Sequence, residues 1–385
     1  MADNDEAWVT NSNEALNLQL AEEDAEQLHG EDRVVIEPFH PDFTYPIFGD
    51  QEKIFGYKGL DIKLHFASGS LKQFLQITYD EKIEDEATPA DDVEGELFKF
   101  LPADYTKSAV AFEQTVEEDA KSFKPMGELI GSYTLRAASS KGKGKANGEG
   151  PAADADHAVS YEMFKIFILL FIEGGSYIQE DEEAWEFEKR RRPDTDIETY
   201  HFVGYTSLYP FWCFPDQVRL RLSQFVILPP YQHLGHGSRL YSALFKHMLG
   251  REGVAELTVE DPAEAFEDLR DRNDLRFLVE QGVPEDPKFL EGVGDNSRAE
   301  RAKWEAGLRK KYKIAQRQFD RLLEMLLLRQ LDRKDAAKVR AYRLQVKARL
   351  YRFNYMTPEE RKEALAKTYD TVVDDYDRIL GMTFH

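Results

Sequence analysis

Glu260 ends an apolar, strand-like run, Ala255–Val259, and is followed at once by Asp261 and Pro262. A carboxylate in that place can act as a general base, taking a proton from a nucleophile before it attacks. An apolar setting would push such a carboxyl up toward working pH. The competing reading is an acidic cap for a helix starting at Ala263, and the residues alone weigh the two equally. Glu173 ends an apolar helical segment and, by residue type and place, reads as a plain helix terminus. A second chemical feature lies upstream. Gln217–Leu228 (QVRLRLSQFVIL) runs through Pro229-Pro230 into Gln232-His233-Leu234-Gly235-His236-Gly237-Ser238. Two glycines, two apart, between a buried strand and a helix allow close backbone approach. The unpaired N–H groups of the helix start then form an anion site suited to a diphosphate. Gly-x-Gly taken alone is explained as well by chain reversal. No Gly-Lys-Ser/Thr follows, and Leu240 stands where a dinucleotide fingerprint needs its third glycine, so neither a triphosphatase loop nor a Rossmann loop fits. His233 and His236 read as surface residues of the helix start rather than as catalysts. Cys213 is the only cysteine and has no histidine at motif spacing; it reads as packing, with no disulfide, in a reducing compartment.

The elements that must position these residues follow from periodicity. Residues 1–30 read as an acidic flexible tail with a short helix over Glu14–Leu28. Strands are expected at Arg33–Phe39, Asp61–Phe66, Gln73–Tyr79 and Glu128–Leu135. The stretch 138–157 (AASSKGKGKANGEGPAADAD) is too poor in apolar residues to order itself and reads as a disordered loop. Beyond it come a dense apolar helix at Tyr161–Ile172 and strands at Trp185–Lys189, Glu198–Leu208 and Gln217–Leu228. A helix over Gly235–Leu249, a buried strand Ala255–Val259 and a helix over Ala263–Asp271 complete a mixed α/β core. From Asp286 only helical periodicity remains, including a capped start at Thr357-Pro358-Glu359-Glu360. The expected organisation is thus an N-terminal mixed α/β domain over 31–160, a catalytic core over 161–285 and a helical domain over 286–385.

Charge bears on partners. The net charge is −22, which argues against direct nucleic-acid binding and would steer a basic partner inward. Residues 1–40 hold eleven acids against Arg33 alone, while residues 301–350 hold sixteen Lys/Arg against five acids, a local +11. The basic runs Lys189–Arg192 and Arg309–Lys311 read as solvated faces, with nuclear import signals as the alternative. The longest apolar stretch, Met163–Ile172, carries Lys165 and is too short to cross a bilayer; no secretory signal is evident, so no membrane association is expected.

Several ordered blocks narrow the reading. Gln232, Gly235 and Gly237 after an apolar strand resemble the coenzyme A pyrophosphate loop of the GNAT acetyltransferase superfamily. Phe48–Leu60 (FGDQEKIFGYKGL), Ala90–Gly95, Phe171–Glu173, Val203–Tyr205, Ser223–Gly237, Glu256–Pro262 and Asp268–Asp271 together resemble the catalytic subunits of type B histone acetyltransferases. The resemblance spans about residues 40 to 275 and leaves the first forty residues and the 138–157 loop outside it. It implies an α/β fold with a GNAT-type acetyltransferase core of mixed sheet, an N-terminal mixed α/β domain and a C-terminal helical domain. The implied activity is transfer of acetyl from acetyl-CoA to tail lysines of newly synthesised, non-nucleosomal histone four, with no metal. An acceptor other than a histone, or a non-catalytic histone-binding module, are the competing expectations. The resemblance assigns the base to Glu260, supported by Asp261 and Glu173. Backbone groups of Phe225, Val226 and Ile227 are assigned to the pantetheine arm, and Gln232, His233, Leu234, Gly235, His236, Gly237 and Ser238 to the pyrophosphate. Asp50, Gln51 and Glu52, with the aromatic run at Tyr209, Pro210 and Phe211, are assigned to the substrate tail. A WD-repeat histone-binding subunit is the implied partner, and cytoplasm and nucleus the expected locations.

Overall fold

The computed structural model describes residues 6–22, 36–125, 127–132, 161–177, 182–191, 198–290, 298–351 and 358–384. The chain divides into two compact units, one of residues 1–207 with 224–236 and one of 208–223 with 237–385.

In the first unit, strands β1 (Leu16–Ala21), β2 (Asp61–Ala67) and β3 (Gln73–Thr78) form a sheet in that order. β1 runs parallel to β2, with Leu16 opposite Ile62, and β2 runs antiparallel to β3. Alternation explains the buried face: Leu16, Leu18, Leu20, Ile62, Leu64 and Phe66 are all sealed, while Asn17 and Gln19 face away. Helix α1 (Ala109–Ser122) is capped by Ser108. Helix α2 (Tyr161–Phe171) is apolar almost all round and buries Phe164 and Ile166–Leu170. Its Phe167 ring lies 4.6 Å from Phe66, and its Phe164 ring 4.1 Å from Tyr205.

Strands β4 (Glu182–Arg191), β5 (Glu198–Cys213), β6 (Gln217–Ile227) and β7 (Val254–Val259) form a second sheet, ordered β7-β6-β5-β4. In the second unit, helix α3 (His236–Gly250) leads to β7, which pairs parallel with β6, placing Arg221 opposite Thr258 and Leu222 opposite Val259. The parallel crossover through a helix is the unit expected of an α/β core. Helices α4 (Glu264–Glu280), α5 (Arg298–Tyr312), α6 (Gln316–Gln330), α7 (Ala336–Tyr351) and α8 (Pro358–Phe384) follow. The backbone N–H of Leu257 reaches Lys313 O at 2.9 Å, so the α5–α6 connection covers part of the β7 edge.

Three local expectations are corrected. The helix expected over Glu14–Leu28 is confined to Ser12–Ala15, capped by Asn11, and Leu16–Ala21 is a sheet strand rather than part of a flexible tail. The period-two spacing of Leu16, Leu18 and Leu20 decides this, and the acidic surroundings masked it. Residues 128–132 are not in a strand. The helix from residue 264 extends nine residues past Asp271, to Glu280. The loop 138–157, and parts of the expected strands at 33–35 and 133–135, lie outside the described residues.

Candidate active site

Glu260 sits where β7 ends. Its backbone N–H donates to Leu222 O at 3.0 Å, and its side chain is exposed and accepts from Arg221 Nη1 at 3.1 Å. The apolar surroundings expected for this carboxyl are therefore absent: what faces it is solvent and a guanidinium. Asp261, also exposed, turns the chain with φ +33°, a left-handed conformation that aspartate tolerates better than most residues. Neither side chain caps the following helix, whose N-cap is Ala263 with no side-chain hydrogen bond. That removes the capping explanation for Glu260.

Glu173 lies exposed two residues past the end of α2. A carboxylate at the negative end of a helix is electrostatically disfavoured, so helix stability does not account for it. The neighbouring turn is pinned by Gly174 N–H donating to Tyr45 Oη at 2.6 Å. Glu173 belongs to the first unit, and Glu260 and Asp261 to the second.

The strand-to-helix loop is built locally. Val226 is buried, and Phe225 and Ile227 are half-buried. Gly204 is required beside this strand, since a Cβ there would stand 2.5 Å from Val226 O. Gln232 and His233 to Gly235 are exposed, His236 is buried, and Gly237 and Ser238 are half-buried. The Gln232 side chain is spent on the loop itself, donating to Ile227 O at 2.9 Å. His233 adopts φ +60° and Gly235 φ +92°, which turn the chain sharply, and nothing lies within 4 Å of a Cβ built at Gly235. An open, exposed backbone turn leading into the fifteen-residue helix α3 suits a phosphate-bearing ligand.

Of the tail-contact candidates, Asp50 and Gln51 are exposed, whereas Glu52 is engaged inside the fold. Its Oε1 accepts from Thr44 N (2.8 Å) and Tyr45 N (3.2 Å), and its Oε2 from Asn13 Nδ2 (2.9 Å). The Tyr209 and Phe211 rings lie 4.7 Å apart, tilted by 54°, and Pro210 is half-buried beside them. Trp212 and Phe214 are 72% and 78% exposed, an unusual display of apolar surface. Sequence reading passed over Arg221. Its signal was there: Arg219 and Arg221 alternate with leucines on β6, and Glu256 and Glu260 lie on one face of the adjoining strand. A cavity of about 620 Å³, lined by Gly253–Glu256, Arg309 and Lys313, opens at the other end of β7 and takes no part in this arrangement. Among the described residues no group of His, Cys, Asp and Glu could hold a metal ion, and no helix is long and apolar enough to cross a membrane.

The β6–loop–α3–β7 arrangement defines a GNAT-type acetyltransferase: residues 161–268 match the acetyltransferase (GNAT) family, whose members draw the acyl group from acetyl-CoA. Residues 8–173 match the family described as histone acetyl transferase HAT1 N-terminus, and residues 271–332 the fungal HAT1 C-terminal family. A histone acetyltransferase type B catalytic subunit from Cryptococcus neoformans var. neoformans is 62% identical, with all of both chains covered. Its counterpart in Mycosarcoma maydis is 41% identical over 98% of this chain and 89% of its own, and that of Debaryomyces hansenii 33% over 99% and 91%. The chain belongs to the family of histone acetyltransferase type B catalytic subunits.

Proposed function

We propose that the chain acetylates lysines in the tail of newly made, non-nucleosomal histone four. The observation that carries the reading is Glu260, a carboxylate fixed by its strand end yet open to an approaching amine, in a chain whose relatives are named for histone acetylation. Glu260 takes the proton from the lysine ammonium, directly or through a water, and the neutral amine becomes the nucleophile. Asp261 and Glu173 support it as further carboxylates that draw the cationic side chain in. The acetyl donor supplies the acyl group. Backbone groups of Phe225, Val226 and Ile227 align its pantetheine arm, and the amides from Gln232 to Ser238 hold its pyrophosphate. Asp50 and Gln51 meet the basic tail with charge and hydrogen bonds, and Tyr209, Pro210 and Phe211 offer it an apolar platform. Glu52 holds that segment in place. A net charge of −22 draws in such a substrate. The exposed Phe211, Trp212 and Phe214 are the contacts proposed for a WD-repeat histone-binding subunit, with the protein shared between cytoplasm and nucleus.

The test is acetylation of separated core histones by the purified chain, with the modified lysines mapped, in parent and variants. Glu260→Gln should lower kcat by about 10²–10⁴ while leaving acetyl-CoA affinity near that of the parent. The loss should shrink as pH rises, because more of the substrate amine is then already neutral. If Glu260→Gln keeps the parent's rate while Glu173→Gln loses it, the base is Glu173. Acetylation of small polyamines but of no histone would overturn the substrate.

A further inference from the structure

We propose that Arg221 is a positioning residue for acetyl transfer, holding one oxygen of the Glu260 carboxylate so that the other is presented to the substrate amine. The inference rests on the reading of Glu260 as the base. Arg221 is fixed at three levels. Its strand places it opposite Thr258, and the bond from Glu260 N to Leu222 O ties the backbone of the base to the residue next to it. The guanidinium lies over the Phe211 ring, 4.3 Å from its centroid, and Nη1 donates to Glu260 Oε1 at 3.1 Å. Among the described residues Glu260 Oε2 carries no hydrogen bond.

The neighbouring pair on the same face sharpens the point. Arg219 Nε donates to Glu256 Oε1 at 2.7 Å, but Glu256 also faces Arg309, whose Nη2 lies 3.7 Å from Oε2. Glu256 thus lies between two guanidiniums, hydrogen-bonded to one and paired at longer range with the other, whereas Glu260 is held by one and keeps an oxygen open. A general base needs that second condition: anchored, yet with a lone pair available. Stability does not account for the arrangement. Both partners are substantially exposed, 36% for Arg221 and 46% for Glu260, and such a pair contributes little to folding. An aromatic ring under the guanidinium adds rigidity to a group whose value then lies in orientation.

The experiment is a double-mutant cycle in steady-state kinetics of the full chain, with acetyl-CoA and a core histone as substrates: parent, Arg221→Gln, Glu260→Gln and the double variant, plus Arg221→Lys. Arg221→Gln should lower kcat by about 10-fold to 100-fold with the KM for acetyl-CoA unchanged, as misorientation of a reacting group does. Arg221→Lys should regain part of that loss, keeping the charge but not the planar fork. With Glu260→Gln already present, Arg221→Gln should cost less than about 2-fold more, because there is no base left to position. Equal losses in both backgrounds would overturn the proposal, as would an unchanged kcat for Arg221→Gln beside a collapsed Glu260→Gln. If Glu260→Gln itself keeps the parent's rate, the base reading falls and the positioning role falls with it.

Discussion

The two units bury different chemistry. The first has an apolar core, with Leu16, Leu64, Phe66, Phe167, Phe202 and Tyr205 all 1% exposed or less, and the polar side chains buried with it, such as Thr44, Gln73 and Thr206, are neutral. The second also has an apolar core, but places charges inside it: Asp271, Asp274 and Glu324 are each about 2% exposed or less. Glu324 accepts from Arg349 Nε and Nη2 at 2.9 Å and from Tyr376 Oη at 2.9 Å, and Asp271 from Arg321 Nε at 2.7 Å. These bonds join helices α4, α6, α7 and α8. Apolar packing is forgiving of partners and harsh on volume, whereas a buried charge is tolerated only while its partner is present. The first unit should therefore fail through cavities, the second through unpaired charge and pH.

Removing one partner of the Glu324 cluster gives the largest expected effect. Arg349→Ala should cost about 3–5 kcal/mol, since Glu324 is then buried with a single hydroxyl donor. Adding Glu324→Leu should restore much of the loss by removing the stranded charge. Urea unfolding of the single and double variants checks this; a double no more stable than the single would mean that lost packing dominates. In the first unit, Leu64→Ala should cost about 3 kcal/mol through the cavity it leaves, with no dependence on pH between 5 and 8.

The next effect separates the units by pH. Burial pushes the Asp274 carboxyl up to about 6, against the opposing pull of Arg270, whose Nε lies 3.6 Å away and beyond hydrogen-bond reach. Tyr241 Oη at 2.8 Å and Gln318 Nε2 at 3.0 Å donate to it, and Asp271 raises it further. A carboxyl raised on folding keeps a proton that the unfolded chain releases. Its stabilising contribution is complete below the unfolded value and is lost as pH rises to about 6. Asp274→Asn should therefore gain on the parent by on the order of 2 kcal/mol between pH 4 and pH 7, nearly all of it below pH 6.5. Parallel stability curves for the two proteins across that range would refute the assignment.

The same contrast explains what could be read in the sequence. The core strands were legible because apolar residues repeat with period two, as in QVRLRLSQFVIL, and α2 because YEMFKIFILLF is a dense apolar run of helical length. The turn at Gln232–Ser238 was legible because two glycines between a strand and a helix mark a chain reversal, whereas the roles assigned to Glu260 and Asp261 came from the family resemblance, since the residues alone weighed base and cap equally. Leu16–Ala21 was missed because local acidity outweighed a short period-two signal. Glu52 was grouped with Asp50 and Gln51, yet its side chain works inward; nothing local distinguishes a carboxylate that braces a turn from one that meets a ligand. Arg221 and the Glu324–Arg349–Tyr376 cluster depend on contacts 25 to 52 residues apart, which no spacing rule exposes.

The smallest effect compares one local device in both units. Ser108 caps α1 by accepting from Ala111 N at 3.3 Å, and Asp335 starts α7 by accepting from Ala337 N at 3.0 Å and Lys338 N at 3.1 Å. The hydroxyl does not titrate in this range, so Ser108→Ala should cost about 1 kcal/mol at pH 3.5 and pH 7 alike. The Asp335 carboxyl is held below the usual carboxylate range, chiefly by the Lys338 backbone N–H. A carboxyl lowered on folding contributes stability above its unfolded value and loses it as pH falls through the folded one. Asp335→Ala should therefore be destabilising at pH 7 and progressively less so once the pH drops below about 4. Thermal unfolding of both variants at several pH values separates the two cases. If the Asp335→Ala penalty stays constant while the parent acidifies, the cap works by shape and hydrogen bonding alone, and the pH sensitivity of the second unit resides in its buried carboxylates.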